Sequence, residues 1–136
     1  MPNPLNMWLG LIAVPIVGVL AWMRKNKAYA LIVLTYLLQW IPWAKSPRIT
    51  FAYHFYVDIP LICLCNAIVL QQLWEWAKRR GDRVSRSWAI GATVATVALI
   101  AGAFVFFYPV LAAVPLTWSQ WHLRMWFPYW IVGPYG

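Results

Sequence analysis

The chain has 136 residues, 63% of them apolar and only 10% charged. An ordinary soluble domain carries roughly 25% charged residues, so the soluble globular class is all but excluded. Eleven Trp, seven Tyr and six Phe exclude disorder, because that much apolar surface does not stay solvated. The formal net charge is +8, yet the basic residues stand in short clusters between long apolar runs. That pattern points to a membrane as partner and not to nucleic acid.

A helix that crosses a bilayer needs about 20 mostly apolar residues, and four runs meet or approach that length. The first covers residues 5–23 and holds no charge; the second covers 28–44, with Gln39 as its one strongly polar side chain. The third covers 55–76 and is apolar mainly from Ile59 to Leu70; the fourth covers 88–108 and is rich in Ala, Val and Gly. None alternates polar with apolar, so helices and not a barrel satisfy the backbone. The first run is read as a span and not as a signal peptide. No basic residue precedes it, a basic cluster follows it, and no small-x-small site closes it.

Charge gives the expected orientation. The loops after the first and third runs hold eight basic residues: Arg24, Lys25, Lys27, Lys78, Arg79, Arg80, Arg83 and Arg86. The other side holds three, Lys45, Arg48 and Arg124. Basic loops stay cytoplasmic, which places loop 45–54 and both termini outside. Tryptophan gives an independent signal, since it prefers the interface. Trp22, Trp74, Trp76 and Trp88 fall at the basic ends of the runs, while Trp8, Trp40 and Trp43 fall at the other ends. The tail, 109–136, places Trp118, Trp121 and Met125 on one helical face. A short interfacial helix is expected there, acting either as an anchor or as a holder of lipid.

Few polar residues offer chemistry. Cys63 and Cys65 stand two apart on one helix, where they cannot bridge or build a zinc site, and read as small buried apolar residues. No metal site, cofactor or catalytic residue is expected. Glu75 and Asp82 have basic neighbours for local pairing. The outer loop before the third run is different, because it gathers Arg48, Tyr53, His54, Tyr56 and Asp58 at the mouth of a span. Polar groups at that depth tend to be functional, and the arginine fork suits a phosphate. Arg48, Tyr53 and His54 are the leading candidates for phosphate binding; Tyr56, Asp58 and the tail's Arg124 are lesser ones. Pro60 is expected to break the first turn of the third helix and free backbone groups for a ligand. The alternative is an ordinary interfacial loop whose aromatics mark lipid headgroups.

At this loop the sequence resembles a known family. Arg48-x-x-Phe51-x-Tyr53-His54-Phe55 followed by Pro60, and Gln39-Trp40-Ile41-Pro42-Trp43 before it, resemble the luminal loop of protein O-mannosyltransferases. Asn3-Pro4-Leu5-Asn6-Met7-Trp8-Leu9-Gly10 is similar to the start of that family's C-terminal four-helix membrane region. Phe106-Phe107-Tyr108-Pro109 and Pro115-Leu116 resemble its last helix and exit. Val57-Asp58 departs from the family's usual Pro and small residue, so Asp58 inherits no family role; Ala113 stands where Gly is common.

The resemblance implies an all-α integral membrane fold: four transmembrane helices plus a C-terminal interfacial helix, part of a C-type glycosyltransferase. It implies transfer of mannose from a polyprenyl-phosphate carrier to Ser or Thr of exported proteins, at a bacterial plasma membrane or an ER-type membrane. The implied partners are membrane lipid, the polyprenyl-phosphate mannose donor and the N-terminal catalytic half. That half carries the family's acidic motif, so this chain alone is expected to be inactive. A non-catalytic membrane scaffold or assembly subunit is the alternative.

Overall fold

The computed structural model describes residues 3–44 and 56–126. It contains α1 (Pro4–Arg24), α2 (Lys27–Ala44), α3 (Asp58–Arg80), α4 (Arg83–Leu111) and the short α5 (Trp118–Arg124). Among the described residues there is no strand. α1, α3 and α4 are long and apolar enough to cross a membrane. α2 has 18 residues, about 27 Å at 1.5 Å per residue, a little under the hydrocarbon thickness of about 30 Å.

Local chemistry sets the helix ends. The Asn3 side chain accepts from the Leu5 and Asn6 amides, and Pro4 opens α1 where its missing N–H costs nothing. α1 stops at Lys25, which is left-handed at φ 50°, and the Asn26 amide donates back to the Ala21 carbonyl at 3.1 Å. The Asn26 side chain then caps α2 through the Ala28 and Tyr29 amides. Gly81, at φ 72°, ends α3, and the Asp82 carboxylate accepts from the Ser85 amide at 3.0 Å to begin α4. That backbone hydrogen bond holds the Asp82 carboxyl below its ordinary range. The connections Lys25–Asn26 and Gly81–Asp82 are tight, so consecutive helices turn back on each other.

α4 ends in the same way. Ala113 is left-handed at φ 51°, and the Val114 amide donates to the Pro109 carbonyl at 2.9 Å. Glycine takes this conformation without a Cβ penalty, a penalty that Ala113 bears.

α1 and α3 form the central pair, and α2 and α4 each pack against both. Ala13, Val14, Val17, Cys65 and Ile68 make the core, with Leu20, Tyr29, Ile32, Val33, Tyr36 and Val69 around it. The core is built of small side chains, as expected where lipid supplies no hydrophobic drive and close packing must hold helices together. The exterior is apolar: Leu11, Ile12, Leu31, Leu38, Val97 and Val105 are all exposed. In water that surface would associate; in lipid it is the solvated face.

Two expectations are corrected. Pro60 does not break α3. The helix begins at Asp58, which puts Pro60 in the first turn, where an N–H has no intrahelical acceptor to lose. The two cysteines are not both buried: Cys65 is, but Cys63 is exposed, and its sulfur accepts from the Asn6 side chain at 3.4 Å. The tail forms a short helix, in which Trp121 and Met125 are half-buried and Trp118, 71% exposed, lies edge-on against His122. A capping box between Thr117 and Gln120 starts α5, and the helix lasts seven residues, about two turns.

Candidate functional site

α1 and α3 both begin at one end of the bundle, and α4 ends there. The eight clustered basic residues stand at the other end. The first end is polar inside. Asn6 is 5% exposed, and its side chain links α1 to α3 twice. Its Oδ1 accepts from Asn66 Nδ2 at 3.0 Å, and its Nδ2 donates to Cys63. Asn3 adds α4 by donating from Nδ2 to the Ile100 carbonyl at 2.8 Å. Three asparagines thereby lock three helices in register within an apolar bundle. Sequence reasoning missed this role; the available signal was an amide residue inside otherwise apolar runs, since buried polar groups in membranes seek partners.

Asp58 stands at the start of α3 and is 1% exposed. Neither carboxylate oxygen has a hydrogen-bond partner among the described residues. Tyr36 of α2 lies within its electrostatic range. Among the described residues an ionised Asp58 has no donor and a protonated one no acceptor. Tyr56, two residues earlier, is half-exposed at 46%. Arg48, Tyr53 and His54 lie outside the described residues.

Arg124 is committed elsewhere. Its Nε donates to the Phe106 carbonyl and its Nη1 to the Gln120 carbonyl, both at 2.8 Å. The guanidinium also lies 5.0 Å from the centroid of the Phe106 ring. Trp126 completes the clasp, with ring centroids 5.1 Å from Phe107, 6.2 Å from Phe106 and 5.9 Å from Trp8. Arg124 and Trp126 therefore fasten the tail across the ends of α4 and α1. The structure brings Tyr56, Asp58 and Arg124 to the same end of the bundle.

Among the described residues, no group of three or more His, Cys, Asp or Glu side chains is placed to hold a metal ion. The polar groups described at this end include the amides of Asn3, Asn6 and Asn66, the carboxyl of Asp58, the phenol of Tyr56 and the guanidinium of Arg124.

The comparisons place the chain. The family model for the C-terminal four TMM region of protein-O-mannosyltransferase matches residues 1–130. The chain is 27% identical over 128 residues to a polyprenol-phosphate-mannose–protein mannosyltransferase of Mycolicibacterium smegmatis, covering 91% of this chain and 24% of that protein. A protein of the same name from Mycobacterium tuberculosis is 27% identical over 132 residues, covering 94% of this chain and 24% of its own length. The chain thus spans about a quarter of the length of the curated relatives it matches. No solved structure matches. With residues 1–130 matched, an all-helical bundle and three helices able to cross a membrane, the chain is an integral membrane protein and belongs to the family of the C-terminal membrane region of protein O-mannosyltransferases.

Proposed function

We propose that this chain is the C-terminal membrane module of a protein O-mannosyltransferase, which moves mannose from a polyprenyl-phosphate carrier to Ser or Thr of exported proteins. The observation that carries the reading is the match over residues 1–130, reinforced by relatives named for that donor and for a protein acceptor. The module's part is to bind the lipid phosphate of the donor. Transfer needs the catalytic half of the enzyme as well, because the only acid outside the basic end is Asp58, and no family motif assigns it a role.

Arg48, Tyr53 and His54 are the phosphate-binding residues in this reading, and they face the outer side together with both termini. Support comes from the residue chemistry: Arg48 offers a two-pronged fork and His54 and Tyr53 add donors. The segment that carries them leads into α3 beside the buried Asp58. Tyr56, Asp58 and Arg124 rank below them. Arg124 already spends Nε and Nη1 on carbonyls, which suits it to hold the tail against α4.

The test is binding of polyprenyl phosphate to the detergent-purified enzyme containing this module. Arg48→Gln should weaken binding roughly tenfold to a hundredfold, the loss of one charge-assisted contact of about 1.5–3 kcal/mol. Arg48→Lys should recover part of it, since it keeps the charge but not the fork. Arg24→Gln, at the opposite end and ion-paired with Glu75 at 3.8 Å, should leave binding unchanged. Parental binding by a folded Arg48→Gln enzyme would reduce the loop to an interfacial anchor.

A further inference from the structure

The basic end holds a second feature, separate from the donor site. α1 and α2 diverge from their tight connection and leave a groove between them of about 540 Å³. That volume lies within the range of ligand clefts, about 300–1,000 Å³. Gly18, Ala30 and Val33 form its apolar floor, and Lys25 and Lys27 stand at its mouth beside Trp22. The groove exists because the floor residues are small: a Cβ placed on Gly18 would already reach ordinary contact with Val33, at 3.8 Å.

The mouth is electrostatically uncompensated. Glu75 is the nearest acid by contact, and it is taken by Arg24 and Arg79, each at 3.8 Å. Asp82 is taken by the Ser85 amide. Lys25 and Lys27 make no ion pair among the described residues. The left-handed backbone of Lys25 turns the chain there, and α2 begins at Lys27, which sets the two lysines on either side of the connection. Trp22 is 87% exposed, an amphipathic ring set where hydrocarbon meets headgroup.

We propose that this groove binds an anionic phospholipid of the surrounding leaflet. The phosphate sits between Lys25 and Lys27, and one acyl chain lies along Gly18, Ala30 and Val33. The occupant follows from charge complementarity: a mouth with two unpaired ammonium groups over an apolar trough matches a negative headgroup on a hydrocarbon chain, and basic pockets between membrane helices recognise such headgroups. A zwitterionic lipid would fill the trough without answering the charge. A partner helix would leave both lysines unpaired.

Native mass spectrometry of the detergent-purified protein, titrated with phosphatidylglycerol or with phosphatidylcholine of the same chains, tests this. Phosphatidylglycerol should bind at least tenfold more tightly. Lys25→Gln with Lys27→Gln should lower its affinity by roughly tenfold to thirtyfold, towards the phosphatidylcholine value. Arg83→Gln with Arg86→Gln removes equal charge outside the groove and should cost less than threefold. Ala30→Phe, which fills the trough, should weaken both lipids. Equal losses in the two charge pairs would mean diffuse attraction and overturn the site. So would equal binding of the two lipids to the parent, or unchanged binding by Ala30→Phe. All four charged positions are exposed, so folding survives those changes.

Discussion

Gly10 of α1 lies against Ile62 of α3 so closely that a Cβ built on Gly10 would stand 2.6 Å from Ile62 Cγ2 and 3.2 Å from its Cγ1. Ile62 is 3% exposed, and a β-branched side chain has one favoured rotamer in a helix, so it cannot swing aside. The absence of a side chain at Gly10 is what lets the central pair approach. Gly10→Ala should therefore lower thermal stability in detergent by about 1–3 kcal/mol, the usual cost of overpacking. Ile62→Ala in the same protein should recover part of the loss, and a double-mutant cycle measures the coupling. Additive losses would show that the two side-chain positions do not compete.

Asn66 donates to Asn6 in a hydrogen bond that ties α1 to α3 towards the end of the bundle that holds Asp58. Interhelical hydrogen bonds in membranes average about 0.6 kcal/mol and reach about 1.7 kcal/mol. Asn6→Ala should cost more than Asn66→Ala, because Asn6 also donates to Cys63. Unfolding of the two single variants and the double variant checks this, with a coupling of about 0.5–1.5 kcal/mol expected.

Ala113 holds a left-handed conformation at φ 51°. Such a conformation costs a non-glycine residue roughly 1–2 kcal/mol, partly offset by the entropy glycine loses on folding. Ala113→Gly should stabilise the protein by about 0.5–1 kcal/mol, read as a rise in Tm. A fall in Tm would show that the Ala113 methyl makes a contact worth more than the strain.

Arg124 holds α5 to α4 through the Phe106 carbonyl. Arg124→Ala should speed proteolysis after α4 and cost about 1–3 kcal/mol. Arg124→Lys should restore little, because the flexible ammonium cannot reproduce the fork that reaches both Phe106 and Gln120. Equal protease resistance in all three proteins would locate the anchor in Trp126 instead.

The proposed orientation predicts that a Cys at Ser46 reacts with an impermeant reagent from outside, and one at Val84 only from inside, in a background without Cys63 and Cys65. Val84 is 65% exposed in the first turn of α4. Reversed labelling would move the proposed donor site to the other face of the membrane.

Composition and run length sufficed for the class of protein: a chain with 63% apolar residues in four long runs has only helices available to satisfy its backbone in lipid. The ordered motifs around Trp8, Trp40 and Phe106 carried the family, and turn residues such as Asn3, Asn26, Gly81 and Asp82 act through contacts a few residues away, so their roles are local and legible. Pro60 was misread because its effect depends on where the helix begins, and α3 begins two residues before it, at Asp58. The asparagine lock could not be read from sequence, since Asn6 and Asn66 are 60 residues apart and only tertiary packing sets one opposite the other. The same holds for Gly10 against Ile62, for Arg124 on the Phe106 carbonyl and for the groove under Lys25 and Lys27. Each is a meeting of surfaces from different helices, decided by crossing geometry and small-residue contact, which one-dimensional periodicity does not encode.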